Sequence, residues 1–225
     1  RGLQGIPGLV ACTYKGPGAR RSILHPIDGL PQRLGMTFLA EGALFLKTWI
    51  KQPIRTGAIA PSGNTLAKLI TSEIRANAGP VIELGPGTGA FTRSILARGV
   101  PESQLVLVER SPDFARLLKQ RYPQARMLEM DVARIRLRCE DWDTIEAQAV
   151  ISGLPLLNMG LRAQWGIVSA SFRRLQPGAC FYQFTYTVHC PIHSQVLERL
   201  GLRAERIGGT VRNLPPASVY RISRR

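Results

Sequence analysis

The chain predicts an open α/β sheet of seven strands, mainly parallel, with an antiparallel C-terminal edge strand. Three observations predict it. From residue 81 onward, short apolar runs alternate with helix-patterned segments. A glycine cluster closes the first run, VIELGPGTGAFT (81–92). Carboxylates close the next two, Glu109 and Asp131. In such sheets ligands gather beyond the carboxyl ends of the strands, where the strand order reverses.

The elements follow in chain order. Residues 1–35 carry Gly, Pro and scattered Arg without a sustained apolar period, as in KGPGARR. They read as a flexible leader, or as sequence upstream of a start at Met36. Over 36–56, Phe38, Leu39, Ala43, Phe45, Leu46, Trp49 and Ile50 make a helical stripe, flanked by Lys47, Lys51 and Arg55. Pro53 stops this amphipathic helix. A second helix is expected over NTLAKLITSEIRA, capped by Asn64 or Ser62.

The alternation then begins. VIEL is a strand, and AFTRSILARG a helix ending at Gly99. LVLVE is a strand, and PDFARLLKQRY a helix with Pro112 in its first turn. ARMLEMD (125–131) and AVISGLPL (149–156) are strands joined through a short connection, DWDTIEAQ. LRAQWGIVSASFRRL is a helix, ACFYQFTY (179–186) a strand and IHSQVLERLG a helix. RAERIGGTVRNLPPASVYRISRR reads as two strands around a loop, which supply the closing hairpin.

Composition bounds the function. Thirty Lys and Arg against 15 Asp and Glu give a net charge of +15, which favours nucleic acid or an anionic membrane surface as partner. Twenty-five of the basic residues are Arg, a bias that genome composition also produces. Removing residues 1–35 leaves about +11, so the basic character does not depend on the leader. The four cysteines show no CxxC spacing, against a zinc ribbon or a disulfide framework and in keeping with a reducing compartment. HCPIH (189–193) crowds two histidines and a cysteine. Pro191 interrupts it and no second ligand pair follows, so no metal is expected. Nothing in the sequence resembles a membrane span or a signal peptide.

Gly85, Gly87 and Gly89 let the chain turn tightly and bring main-chain N–H groups against a ligand without an intervening Cβ. Their G-x-G-x-G spacing departs from the G-x-G-x-x-G dinucleotide fingerprint, and no GK[ST] of a P-loop follows. Glu109 lies 20 residues past Gly89, where a carboxylate can accept both hydroxyls of a ribose. Asp131 is placed to take a donor such as an adenine amine. Each acid alone also reads as a cap on the next helix. Their register after successive strands favours a shared ligand.

This pattern resembles the class I S-adenosylmethionine-dependent methyltransferases, and the likeness covers roughly residues 57–225, the expected catalytic domain. It implies a Rossmann-like fold, a glycine loop against the methionine part of the cofactor, Glu109 on the ribose and Asp131 on the adenine. It also implies that Glu83 helps position the cofactor's ammonium group. Within that class the pieces FLKTWIKQPIRTGAIAPSG (45–63), ELGPGTGAFT (83–92), LVLVER (105–110), SGLPLLN (152–158) and FYQFTY (181–186) resemble the bacterial phospholipid N-methyltransferase family, relatives of the ribosomal RNA adenine dimethylases. The family methylates phosphatidylethanolamine toward phosphatidylcholine. It does so as a peripheral protein on the inner face of the bacterial cytoplasmic membrane.

An RNA adenine N6-methyltransferase is the alternative, favoured by charge and kinship. Amino-base methyltransferases carry Asn or Asp, two residues, then an aromatic after the fourth strand, so that the base is held and stacked. Here that place reads Ser152-Gly153-Leu154-Pro155-Leu156. The reading also expects none of the appended helical domain of the RNA dimethylases. Leu154, Pro155 and Leu156 are instead expected to wall an acceptor pocket that keeps the amine neutral, with backbone carbonyls of Ser152 and Gly153 facing it. Tyr182 or Tyr186, on one face of their strand, is expected to offer a π face to the methylated nitrogen; burial in the core is the other reading. No general base stands out, His189 being the nearest by type. Phe45, Lys47, Trp49, Lys51 and Arg55 are expected at the anionic membrane surface and the phospholipid headgroup, although such a stripe also suits packing on the sheet.

Overall fold

The computed structural model describes residues 61–134, 140–210 and 216–225. The expected leader and the 36–56 helix lie outside the described residues. Helix α1 (Pro61–Ile70) leads into β1 (Val81–Leu84), then α2 (Ala90–Leu96), β2 (Leu105–Glu109) and α3 (Pro112–Arg121). Next come β3 (Arg126–Glu129), the single turn α4 (Glu140–Asp143), β4 (Ala147–Ser152) and α5 (Leu161–Phe172). Strand β5 (Leu175–Thr185), helix α6 (Ser194–Arg199), β6 (Leu202–Thr210) and β7 (Ala217–Arg224) complete the chain.

All seven strands join one sheet in the order β3-β2-β1-β4-β5-β7-β6. Strands β1 to β5 run parallel, and β7 is antiparallel to both of its neighbours. The closing hairpin does supply the edge, but the strand antiparallel to its neighbours, β7, sits one place inside it, and β6 forms the edge. Helix α1 begins at Pro61, whose fixed φ suits a first turn, so positions 62 and 64 lie within the helix instead of capping it. It ends at Ile70, earlier than its pattern suggests, where Thr71 turns its hydroxyl back onto the Ala67 carbonyl at 2.7 Å.

Both sheet faces are covered, so β1 and β2 are buried at every position and apolar at all but Glu83 and Glu109. Strand periodicity divides the core in two. Ile82, Leu84, Val106, Val108, Val150 and Phe181 pack with Ile167 and Phe172 of α5. Val81, Leu105, Leu107, Ile151, Tyr182 and Phe184 pack with Leu66 and Ile70 of α1 and with Phe91 and Ile95 of α2.

Strand order reverses between β1 and β4, and there the backbone makes its closest approach. The ladder runs one residue past the strands: Gly85 N–H donates to Val108 at 2.8 Å and Gly153 N–H to Leu84 at 2.8 Å. A Cβ on Gly153 would stand 2.7 Å from the Gly85 carbonyl oxygen. Only glycine fits there. Gly85 itself has φ +69° and would set a Cβ 2.8 Å from Leu154 Cδ2.

The second core buries one carboxyl group, Glu83. Its Oε2 accepts a 2.6 Å hydrogen bond from the Thr92 hydroxyl of α2, while Oε1 has no partner. Burial pushes its pKa from 4.5 up to about 7, against the lowering effect of Thr92. A carboxyl raised on folding stabilises the native state below its unfolded pKa, and that contribution is lost as pH rises to the folded value. Relative to Glu83→Gln, the wild-type protein is expected to lose about 3 kcal/mol of stability between pH 4.5 and about 7 and to run level above that. Urea denaturation across this range checks it, and equal slopes for the two proteins would refute it.

Candidate active site

The elbow after β1, the ends of β2 and β3 and the turn after β4 enclose one cavity of about 320 Å³. Gly85, Pro86, Gly87 and Thr88 form one wall; Glu109, Arg110, Ser111 and Phe114 a second; Asp131, Val132 and Ala133 a third. Gly153, Leu154, Pro155, Met159 and Ile167 close the side toward α5. Gly85, Gly87 and Gly89 all have positive φ, at 69°, 55° and 78°. L side chains rarely adopt such a backbone. The three N–H groups are used internally, Gly85 on the Val108 carbonyl, Gly87 on Glu109 and Gly89 on the Pro86 carbonyl, so these glycines offer the cavity bare backbone and not free donors.

Glu109 is the most constrained polar group of the lining. Its Oε2 accepts from Gly87 N–H at 3.1 Å and its Oε1 from Ser111 N–H at 2.8 Å. The carboxylate therefore pins the elbow to the end of β2, and each oxygen keeps a lone pair for a further donor. Asp131 accepts from Ala133 N–H at 3.0 Å through Oδ1, while Oδ2 lies 3.9 Å from the exposed guanidinium of Arg110. Both acids hold their own loops, as a cap would, and both line the same cavity.

The cavity suits an adenosyl sulfonium. The elbow leaves no side chain at Gly87, where a Cβ would meet nothing within 4 Å. Two carboxylates offer acceptors at one end of the cavity, and Val108, Phe114 and Val132 provide apolar walls between them. Phe114, Val132, Arg110 and Met159 were not singled out from sequence. Their signal was available, because each follows closely on a strand-end residue that was.

Other expected site residues are placed differently. Glu83 stands outside the cavity lining, enclosed behind the elbow against Thr92. Leu156 is fully buried in the core, and Met159 takes its expected place in the wall. Ser152 is buried, and its Oγ accepts weakly from Leu154 N–H at 3.3 Å. Tyr182 requires a correction. It packs with the α1 and α2 core, and its hydroxyl donates to Glu73 at 2.7 Å, so neither its ring nor its oxygen reaches the cavity. Burial, reinforced by that carboxylate, raises its pKa far above the usual phenol range. Tyr186 needs the same correction: it packs edge-on against Phe184 with centroids 5.5 Å apart, on the α1 and α2 side of the sheet just beyond the end of β5, and is absent from the cavity lining. Burial pushes its hydroxyl up to about 12.

Two glutamines hold the turn after β4. Gln183 of β5, which pairs with Ser152, donates to the Leu154 carbonyl at 2.9 Å. Gln164 of α5 is buried and donates to the carbonyls of Leu156, Met159 and Pro191 at 2.8, 3.1 and 3.3 Å. Its oxygen accepts from His193 N–H at 2.8 Å. One side chain so ties the loop after β4 to the loop after β5. His193 meanwhile accepts from Gln195 N–H through Nδ1 at the start of α6. Among the described residues no three His, Cys, Asp or Glu side chains are grouped as metal ligands, and no helix is long and apolar enough to cross a membrane.

Comparison with known proteins bears on this arrangement. The chain is 31% identical over 183 residues to the ornithine lipid N-methyltransferase of Singulisphaera acidiphila, covering 79% of this chain and 93% of that protein. The ribosomal RNA small subunit methyltransferase A of a Synechococcus species is 38% identical over 96 residues, 41% of this chain. That match spans about a third of the RNA enzyme, 32% of its length. A TehB-like SAM-dependent methyltransferase from Corynebacterium glutamicum superimposes with a TM-score of 0.56 at 15% identity, over 83% of this chain and 100% of that one, a likeness of fold. No family model matches the chain. A relationship that runs through nearly the whole Singulisphaera enzyme makes this chain a member of the bacterial lipid N-methyltransferase family, a branch of the class I enzymes whose methyl donor is S-adenosylmethionine.

Proposed function

We propose that the protein methylates the amine of phosphatidylethanolamine, and then its methylated products, toward phosphatidylcholine at the membrane surface. The observation that carries this reading is the apolar wall of Leu154, Pro155 and Met159, which closes the same cavity that Glu109 and Asp131 line. The ring that would stack a base and the Asn or Asp that would hold its amine are both missing from the Ser152–Pro155 turn. Such a wall suits a small aliphatic amine, which must be neutral to react.

In this reading Glu109 accepts the ribose hydroxyls, Asp131 the adenine amine, and the elbow of Gly85, Gly87 and Gly89 lies against the methionine part. The bound donor supplies an electrophilic methyl on a sulfonium. The chain's own part is to align the acceptor and to exclude water. A free alkylammonium has a pKa comparable to that of lysine. Transfer beside Leu154 and Pro155 disfavours its charged form, so the proton is left in solvent on entry. Charge disperses as the N–C bond forms and the C–S bond breaks, so positioning and desolvation carry most of the rate. Gln183 fixes the wall through the Leu154 carbonyl.

Attachment is assigned to residues 36–56, through Phe45, Lys47, Trp49, Lys51 and Arg55, ahead of a catalytic domain over 57–225 and after a leader over 1–35. The location that follows is the inner face of the bacterial cytoplasmic membrane. The match to an RNA methyltransferase supports a second reading, methylation of an RNA adenine.

Glu109→Ala and Asp131→Ala are each expected to weaken S-adenosylmethionine binding about 10- to 100-fold in calorimetry, the range of a lost hydrogen bond to a charged group. Tyr182→Phe is expected to leave methyl transfer unchanged and to lower stability by about 1 kcal/mol, through the lost bond to Glu73. Radiolabelled donor offered to vesicles of phosphatidylethanolamine, vesicles of ornithine lipid, and RNA should label phosphatidylethanolamine. Label on ornithine lipid alone corrects the headgroup, and label on RNA alone overturns the lipid reading.

A further inference from the structure

Among the described residues three large hydrophobic side chains are exposed: Leu157 at 44%, Leu161 at 45% and Val188 at 70%. They are not scattered. Leu157 and Leu161 flank Met159 of the cavity wall, on the loop after β4 and the first residue of α5. Val188 lies on the loop after β5, the neighbouring strand. Gln164 bonds both loops through Leu156, Met159, Pro191 and His193. The Tyr220 hydroxyl of β7 donates to the Val188 carbonyl, so this tip too is held.

Charge follows the same boundary. Residues 153–172 and 186–197 contain no Asp or Glu. The exposed charged residue beside Leu161 is Arg162, and His189 stands exposed beside Val188. Isolated apolar residues on a surface mean little. Three on two tethered loops free of acids, two of them beside Met159 of the cavity wall, describe a contact surface.

We propose that these loops form a lip that enters the bilayer interface, with Leu157, Leu161 and Val188 in the acyl boundary and Arg162 at the headgroups. This rests on the lipid reading above and adds to it a surface separate from residues 36–56. It explains how an amine fixed to a membrane reaches Leu154 and Pro155: the wall that receives it is continuous, through Met159, with the residues that touch the bilayer. The apolar side chains hold the cavity mouth at headgroup depth, and the absence of acids spares the lip repulsion from anionic lipid.

The test uses the full chain with vesicles of phosphatidylethanolamine and phosphatidylglycerol. In Leu157→Trp, bromine-labelled acyl chains should quench emission beyond the quenching of the three native tryptophans. In the triple variant Leu157→Ser, Leu161→Ser, Val188→Ser, KM on vesicles should rise about tenfold or more, given the apolar area withdrawn. Its melting temperature, its S-adenosylmethionine affinity and its kcat/KM on a monomeric short-chain phosphatidylethanolamine should match wild type. No added quenching on bound vesicles, or an unchanged KM in the triple variant, overturns the lip. So does a variant that changes only self-association, which would make this face a contact between copies. Methylation of neither lipid by wild type removes the functional reading instead, and the quenching measurement still decides the lip.

Discussion

The molecule is organised around a place where two backbones touch. Gly153 stands where a Cβ would press 2.7 Å from the Gly85 carbonyl oxygen, at the point of the sheet where strand order reverses. Because neither residue carries a side chain, β1 keeps its pairing to both neighbours one residue beyond the formal strand ends. That extra rung sets Gly85, Glu109 and Gly153 level with one another. The elbow, the carboxylate and the acceptor turn therefore face each other across a single crevice. Any larger residue at 153 would spread β1 from β4 and move the Leu154–Pro155 turn away from the elbow.

Opposite physical environments meet across that crevice. On the β2 and β3 side, Glu109 and Asp131 are held by main-chain N–H groups and keep acceptor capacity for a ligand. On the β4 side the lining is Leu154, Pro155, Met159 and Ile167. A polar, hydrogen-bonding recess beside an apolar one suits a reaction that joins a tightly held cationic donor to an amine that must arrive uncharged.

Much of this was legible in residue order. The end of β2 is readable because a parallel strand buried on both faces is a near-continuous apolar run, which makes Glu109 conspicuous. Strand β3, RMLE, is only partly buried and stops at Glu129, so Asp131 lies two residues beyond the strand it was expected to close. What failed were inferences that alternation alone cannot support. Alternation placed Tyr182 and Tyr186 on one face of β5 but says nothing of depth along it, and Tyr182 lies deep enough to meet Glu73, 109 residues earlier in the chain. Glu83 shares a strand with the elbow, yet its side chain leaves on the face turned away from the cavity. The place of β7 between β5 and β6 was equally hidden, since two adjacent strands in sequence show that they pair and not which of them also pairs inward. Gln164 resembles any polar residue of an amphipathic helix until its four partners, from two separate stretches of chain, are seen.

That glutamine has a consequence for how such proteins diversify. Four bonds from one side chain make the loops after β4 and β5 a single mechanical unit, although some 30 residues separate them in the chain. Exchanging one loop between relatives would strand donors and acceptors contributed by the other. The two loops should accordingly be inherited as a pair, and a chimera that transplants one must carry the other together with the helix that bridges them.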